Sequence, residues 1–507
     1  MKILINSKST ILPFADSKEI ILLSKFNKNS NALQSSLNFF DMGNKSKNDL
    51  SLTDSMDFDN EIRFYLSGRR KRAYNHIGAY ISQLDETVII EIHNSNNLKN
   101  ATIEFLDHLN SRFENIVIKY VKGSYSNLPE YQLSKTETKI ESLLIAGVSN
   151  WNEFNFLNKT AQEYLSNGDP YTAEVILKTL LKYSTQPDLY NEMSLVKIMQ
   201  GDFTSSELYL KEWKKRGTLT DKAYANYALS MLYARHYDSN MHSLFTAKEL
   251  LIEAQNILEN IRDIDNKSLE ADKQFMLNGY ALILFRTGSI KEAIEIEKNA
   301  IQKLSYANKG ARLLQKSVLY YNLAQCYTKI QKLDLAVETY KDLLAIDNNF
   351  PDYHIELAKV YLKENDLDNA WEELERAYKI DNSISELNSL MGYVQLSKKK
   401  FKEAAKFYKV AYQYEYLNPD ALYDLIYSYT EQDDYASAYN FAKKFLNNQV
   451  EFLAEAKNEQ IKIDLISITA EVLLNNDRDT EAKKIIEKWN KIFNSDQLSE
   501  NLKLLSK

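Results

Sequence analysis

The feature that most constrains the fold of this chain is a 34-residue repeat in its C-terminal half. Stretches beginning at Leu319, Asp352, Glu386 and Asp420 carry the same order of apolar, small and polar residues. Three equal steps of 34 residues separate the small residues that mark the register, which are Ala336, Ala370, Ala404 and Ala438. A fixed period of this length indicates a stack of identical supersecondary units, because one unit cannot bury its apolar face alone.

Each unit contains two amphipathic stretches separated by a polar turn. In the second unit the apolar positions at helical spacing are Leu357, Ala358 and Tyr361, followed by Leu367, Ala370, Leu374 and Ala377. The small residues among them allow two antiparallel helices to approach closely. These residues resemble the tetratricopeptide repeat (TPR) family, and the resemblance implies helix pairs stacked into an α-solenoid.

Weaker copies of the pattern extend the repeats towards the N-terminus and to the C-terminus. Their register positions are Ala173, Ser206, Ala247, Ala293 and Ala482. We therefore expect a mainly α protein, with a TPR-type α-solenoid of about nine helix pairs over residues 151–507. Residues 131–150 are expected to form a connecting helix or linker.

Residues 1–130 lack the repeat and read as a small α/β domain. "KILIN", "EIILLSKF", "IRFYLSG", "TVIIEIHN" and "NIVIKYVKG" are predicted strands, and helices are predicted from Ala73 and around residues 97–113. Alternating strands and helices favour a mainly parallel sheet. The Asn- and Ser-rich stretch at about 27–60 is predicted to be a mobile loop.

About 60 residues of this domain resemble the core of the Clp protease and crotonase superfamily. The counterparts are Gly68 at the end of a strand, the turn Asn94-Ser95, and Gly123. The glycines that would form an oxyanion hole are missing from "HNSNN", and a nucleophile would fall near Ser126. A regulatory domain of the anti-sigma-factor-antagonist type has a similar local order and stays open as an alternative.

Composition narrows the classes of function. The chain has 63 Lys and Arg against 70 Asp and Glu, a formal net charge of -7, and one cysteine, Cys326. A single cysteine fits a reducing compartment, and no signal peptide or membrane-spanning run is apparent, so we expect a cytoplasmic protein. No Gly-rich phosphate loop or paired-histidine motif occurs, so no cofactor and no metal site are expected.

The resemblance to TPR proteins implies that partners bind on the concave face, which the first helix of each pair forms. In register, this face would hold Tyr321, Gln325, Lys359, Lys363, Tyr393, Tyr423 and Tyr427. Tyrosines alternating with lysines suit an extended peptide or a partner helix, since tyrosine combines a large rigid contact area with a hydroxyl.

A basic segment in the N-terminal domain is a second candidate site. Four consecutive cations, Arg69, Arg70, Lys71 and Arg72, precede the predicted helix, with no acidic residue between Glu61 and Asp85. Free N–H groups at a helix start together with surplus cations predict an anion or partner patch.

Three hypotheses of function remain. The leading one is a non-enzymatic adaptor whose repeats bind a protein or peptide, while the α/β domain docks or localises the complex. The first alternative is an enzyme with a hydrolase-like N-terminal domain, and the second is a nucleic-acid-associated regulator that uses residues 69–72. The sequence leaves a homo-oligomer open.

Overall fold

The structure is a computed structural model of the chain. It describes residues 1–7, 11–14, 16–18, 20, 51–52, 66–123, 133–235, 243–261, 267–304, 311–415, 417–456 and 458–505. Contacts group the chain into two compact units, each of which is described by itself. The first is Met1–Asn110 with Glu114–Val360, and the second is Ser111–Phe113 with Tyr361–Lys507.

The N-terminal sheet has three parallel strands, which confirms the predicted small α/β fold. They are β1 (Lys2–Asn6), β2 (Val88–His93) and β3 (Ile116–Val121), in the spatial order β1-β2-β3. Ile5 pairs with Ile92 and Ile90 with Ile118 in register. The helices of this domain are α1 (Leu66–Ser82) and α2 (Asn100–Arg112).

One apolar layer holds the domain together. Its fully buried side chains include Ile5, Ile90, Ile92, Ile77, Ile81, Phe105 and Leu109. The ring of Tyr74 in α1 meets Phe105 of α2 edge-on, with 5.2 Å between ring centroids. Alternation along the strands and helical spacing in α1 and α2 therefore converge on the same core, as expected for the sequence pattern.

The start of α1 corrects the sequence-based prediction. Residues 66–68 are helical, so the predicted strand "IRFYLSG" does not end at Gly68, and the helix begins seven residues before Ala73. Residues 61–65 lie outside the described part. Most of the predicted strand "EIILLSKF" and of the predicted loop at 27–60 also lies outside it; Ile20 has helical backbone.

The predicted α-solenoid is present as nine helix pairs within the described residues. A helix α3 (Lys135–Ala146) precedes them. The pairs are α4 (Trp151–Ser166) with α5 (Pro170–Tyr183), α6 (Pro187–Met199) with α7 (Phe203–Arg216), α8 (Leu219–Arg235) with α9 (Leu244–Asn260), α10 (Lys267–Thr287) with α11 (Ile290–Lys303), α12 (Ala311–Lys329) with α13 (Leu333–Ile346), α14 (Pro351–Lys363) with α15 (Leu367–Ile380), α16 (Ser385–Ser397) with α17 (Phe401–Tyr414), α18 (Pro419–Thr430) with α19 (Tyr435–Asn447), and α21 (Glu459–Leu474) with α22 (Asp479–Phe493). The short α20 (Gln449–Glu455) separates the last two pairs, and α23 (Asp496–Leu504) follows them.

The register residues share one structural position. Each is the fourth residue of the second helix of its pair, from Ala173 in α5 to Ala482 in α22. All nine have no exposed surface. A side chain larger than alanine or serine at this place would push the helices apart, so the repeat period records where the two helices of each pair meet.

The turns between paired helices share a left-handed residue. It lies five residues before the register residue and has a positive φ of 56° to 88° at Gly168, Gly201, Gly288, Gln331, Asn365, Lys399, Asp433 and Asp477. The next residue donates its N–H back across the turn, as from Asp366 to the carbonyl of Tyr361 at 2.9 Å. This is the Schellman arrangement, which satisfies the last carbonyls of the first helix.

These turns predict that replacing a glycine at the left-handed position destabilises the protein, and that introducing a glycine there stabilises it. A Cβ added at Gly201 meets no atom within 4 Å, so Gly201→Ala exposes the backbone cost alone, about 1 kcal/mol. Lys399→Gly removes a similar strain at φ 56° and is expected to raise the melting temperature. Lys400→Gly, at φ -95°, is the matched control and should not stabilise. Equal effects of Lys399→Gly and Lys400→Gly in thermal unfolding would contradict this account.

Candidate functional site

Within each unit, some of the first helices of neighbouring pairs contact one another. α4 contacts α6, α8 contacts α10, and α10 contacts α12 in the first unit, while α18 contacts α21 in the second. A row of residues eleven positions before the register residue lies on the first helices of each unit: Gln325 and Lys359 in the first unit, and Tyr393, Tyr427 and Glu471 in the second. We call the side of the first helices that carries this row the inner face.

In the first unit the predicted inner-face residues contact other residues of the repeats. Gln325 Nε2 donates to the hydroxyl of Tyr340 at 2.7 Å and to Glu356 Oε2 at 2.8 Å. Lys359 forms an ion pair with the same carboxylate, that of Glu356. The ring of Tyr321 lies 6.3 Å from that of Tyr340. The polar groups of this part of the inner face are therefore largely occupied within the repeats.

In the second unit the predicted residues are more accessible. Tyr393 is 49% exposed, and Lys363 is exposed. Tyr423 and Tyr427, one helical turn apart on α18, are partly buried and stack with an interplanar angle of 9° and 6.2 Å between centroids. This part of the inner face therefore has accessible aromatic surface.

Carboxylates surround these tyrosines, which the sequence analysis did not predict. Burial and the nearby charge of Asp464 raise the pKa of Tyr423 to about 12. Burial and the neighbouring Asp420 raise the pKa of Asp424 to about 7, although the hydroxyl of Tyr408 partly offsets this. The pKa of Glu471 is raised by burial and by Glu431. The inner face of the second unit is therefore an acidic, aromatic surface.

The sequence does contain a signal for this surface. Residues 410–442 include six Asp and Glu and eight Tyr but no Lys or Arg. The register then places Asp464 of α21 at the position that Asp420 occupies in α18, eighteen residues before the register residue. A charge count for each repeat would have shown a local excess that the whole-chain balance hides.

Arg70 of the basic segment is buried between the α/β domain and the first two helix pairs. Its Nε donates to Glu104 Oε1 of α2 at 3.0 Å. Its Nη2 donates to the carbonyl of Met199, the last residue of α6, at 3.3 Å. Its Nη1 approaches the carbonyl of Gly168, just beyond α4, at 3.5 Å. The guanidinium thus meets carbonyls at two helix C-termini, where a cation is stabilised.

We call the contact of Arg70 with Glu104, Gly168 and Met199 the joint. Two further contacts, both made by Tyr171, complete it. The guanidinium of Arg70 lies 5.4 Å from the centroid of the Tyr171 ring, and the hydroxyl of Tyr171 donates to Glu104. Burial alone would lower the pKa of Arg70, but the charge and hydrogen bond of Glu104 together with Tyr74 and Tyr171 outweigh burial and keep the pKa raised. Lys71 is exposed, the side chain of Arg69 is outside the described part, and Arg72 is partly buried. An anion or partner patch at these three residues stays a prediction.

The histidines of the α/β domain lie in local polar contacts. His93 Nε2 is 2.9 Å from Glu91 Oε1, and His108 Nε2 is 2.8 Å from Asn75 Oδ1. Ser126, the predicted position of a nucleophile, lies outside the described residues. No group of His, Cys, Asp and Glu with the geometry to hold a metal ion occurs in the described part of the chain. None of the described helices is long and apolar enough to cross a membrane.

Comparison with known proteins gives matches among solved structures only. No protein-family model and no curated protein matches the chain. Among solved structures, the chain is similar to the MamA protein (18% identity, 34% of this chain and 90% of that one, TM-score 0.30). It is also similar to a tetratricopeptide repeat protein from Parabacteroides merdae (14%, 56% and 99%, TM-score 0.33). PilF of Pseudomonas aeruginosa is a third such structure (12%, 46% and 99%, TM-score 0.36).

The joint at Arg70 predicts a strong contrast between adjacent cations. Arg70→Gln removes the charge that Glu104 and two helix-terminal carbonyls face, and should cost about 3 kcal/mol of unfolding free energy. Lys71→Gln changes an exposed charge and should cost less than about 0.5 kcal/mol. Urea unfolding of both variants measures the difference. Similar losses in the two variants would show that Arg70 does not hold the joint.

The raised pKa of Asp424 predicts a pH-dependent stability. The unfolded chain loses this proton near the ordinary value of 3.8, whereas the folded chain keeps it until about pH 7. The folded state therefore loses stability as pH rises between these values. Between pH 5 and pH 8, the Asp424→Asn variant should therefore lose about 2 kcal/mol less unfolding free energy than the wild type. Thermal unfolding at both values tests this, with Glu487→Gln on the exposed side of α22 as the control. Parallel pH profiles for all three proteins would contradict it.

Proposed function

We propose that this chain is a non-enzymatic adaptor that holds a protein or peptide partner on the inner face of its TPR-type solenoid. The observation that carries the proposal is the accessible aromatic surface of Tyr393, Tyr423 and Tyr427 in the second unit. Tyrosines on a rigid helical frame bury much area at little cost in conformational entropy. Helices supply that frame, so the rings are positioned before a partner arrives.

In this proposal the α/β domain docks or localises the complex. Its attachment supports the role, because Arg70 and Glu104 connect α1 and α2 to the ends of α4 and α6. A second ion pair joins Lys18 to Glu137 of α3 at 2.5 Å. A domain held at two points moves with the first helix pairs and can present its own surface in a fixed orientation to them.

The enzyme alternative receives less support. Among the described residues, the strand order β1-β2-β3 follows the chain without reversal, so these three strands form no switch point of the kind at which open parallel sheets bind ligands. The side chains of His93 and His108 lie against Glu91 and Asn75. The nucleic-acid alternative loses one of its four cations, since Arg70 is buried in the joint.

Quantitative capture with matched variants tests the adaptor proposal. The full-length chain is immobilised, exposed to a lysate of its source cells and analysed by mass spectrometry. Proteins enriched on the wild type should fall at least about tenfold on a Tyr423→Ala/Tyr427→Ala variant. They should be retained on Tyr378→Ala, which removes an exposed tyrosine from the second helix α15. Size-exclusion chromatography of the purified chain shows whether the partner is a second copy.

Two outcomes would contradict the proposal. One is equal capture by all three proteins when circular dichroism shows that each is folded. The other is turnover of an ester or peptide substrate by the purified chain that a His93→Ala substitution abolishes, since this would favour the hydrolase alternative.

A further inference from the structure

The inner face of the second unit carries negative charge that the described part of the chain does not neutralise. Its carboxylates lie on α18 and α21 and at the end of α18; they are Asp420, Glu431, Asp464 and Glu471. None of them forms an ion pair with a Lys or Arg among the described residues. Asp464 instead accepts from the amides of Gln460 and Gln497, at 2.8 and 3.2 Å.

Two carboxylates of the first unit, in contrast, form ion pairs with lysines. Glu174 pairs with Lys178 at 2.8 Å and with Lys197 at 2.7 Å, which lowers its pKa to about 2 despite partial burial. Glu207 pairs with Lys211 at 2.5 Å. In the second unit, Asp420 and Asp424 repel each other, as do Glu431 and Glu471. Repulsion of this kind is relieved when a cation approaches from outside the chain.

The stacked tyrosines add a second feature that suits a cation. The rings of Tyr423 and Tyr427 are nearly parallel. Burial contributes most to the raised pKa values of both hydroxyls, and the charge of Glu471 makes a smaller contribution to each. Aromatic faces attract Lys and Arg side chains, and a neighbouring carboxylate strengthens the attraction.

The same unit contains an internal example of this chemistry. The guanidinium of Arg478 lies 4.9 Å from the centroid of the Tyr439 ring and 3.3 Å from Glu481 Oε2. One tyrosine and one carboxylate on α19 and α22 thus hold an arginine of this chain. On α18 and α21 the tyrosines and the carboxylates are present without such an arginine among the described residues.

We propose that the inner face formed by α18 and α21 binds a lysine- or arginine-rich segment of a partner protein. Tyr423 and Tyr427 contact the cationic side chains, and Asp464 and Glu471 neutralise them. The proposal rests on the proposed adaptor function and specifies the class of its partner. A nucleic acid is excluded from this surface because its phosphates would meet carboxylates.

Fluorescence anisotropy with labelled peptides tests this inference on the full-length chain. The probe is a twelve-residue peptide of alternating Arg and Ser, about that length being enough to span two helices. Peptides with Glu or Gln in place of Arg are the controls. The basic peptide should bind more tightly than both controls. Its affinity should fall at least about tenfold when NaCl is raised from 50 to 300 mM.

Matched variants assign the binding to this surface. Asp464→Asn/Glu471→Gln should weaken the basic peptide at least about tenfold. Glu451→Gln/Glu487→Gln removes the same charge from exposed positions on α20 and α22 and should leave binding within about twofold. Tyr427→Ala should weaken binding, whereas Tyr427→Phe keeps the ring and should retain most of it.

The outcomes separate this inference from the adaptor proposal. Equal binding of the basic and acidic peptides, or equal loss in the two charge variants, would overturn the inference. Mg²⁺ that binds with the same dependence on Asp464 and Glu471 and blocks the peptide would also overturn it, because the surface would then be a cation site. If the Tyr423→Ala/Tyr427→Ala variant still loses a captured protein in these cases, the adaptor function stands and only its partner class is wrong.

Discussion

The close meeting of two helices at one small, fully buried residue is the constraint on which the repeats depend. From Ala173 to Ala482 it occupies the fourth place of the second helix, and a left-handed turn residue precedes it by five positions in all eight pairs for which the structure describes that position. The turn fixes how the second helix leaves the first, and the small residue lets it pack closely. Because both are local, every pair can form the same hairpin while the other residues vary.

The inner face shows such variation. Gln325, Glu356 and Lys359 form a bonded group that satisfies most of its own polar atoms. At equivalent places in the second unit, Tyr427 and Glu471 leave aromatic surface and negative charge available to other molecules. The same helical repeat therefore carries internally hydrogen-bonded side chains in one unit and an accessible aromatic and acidic surface in the other. A binding function in such a protein is encoded in the side chains that the hairpin does not need.

In the α/β domain, by contrast, a charged side chain is buried in a structural contact. Arg70 is removed from water and surrounded by Glu104, Tyr171 and two helix-terminal carbonyls, so its charge holds the domain to the first helix pairs. Burying a guanidinium is favourable only when several acceptors replace its hydration. The cost and the geometry of that replacement make the joint specific, and a shifted helix end would leave the charge unpaired.

The repeat architecture could be predicted from the sequence alone, because Ala336, Ala370, Ala404 and Ala438 mark a contact within one hairpin and recur at its period. The sequence also placed Tyr423 and Tyr427 on the first helix of their pair. The start of α1 at Leu66 was missed because Ser67 and Gly68 resemble a turn. The roles of Arg70 and Glu471 follow from the tertiary structure alone. The acceptors of Arg70 lie 34, 98 and 129 residues away, and Glu471 of α21 acts electrostatically on Tyr427 of α18. Periodicity records contacts that are local and repeated, whereas a single long-range contact leaves no periodic trace in the chain.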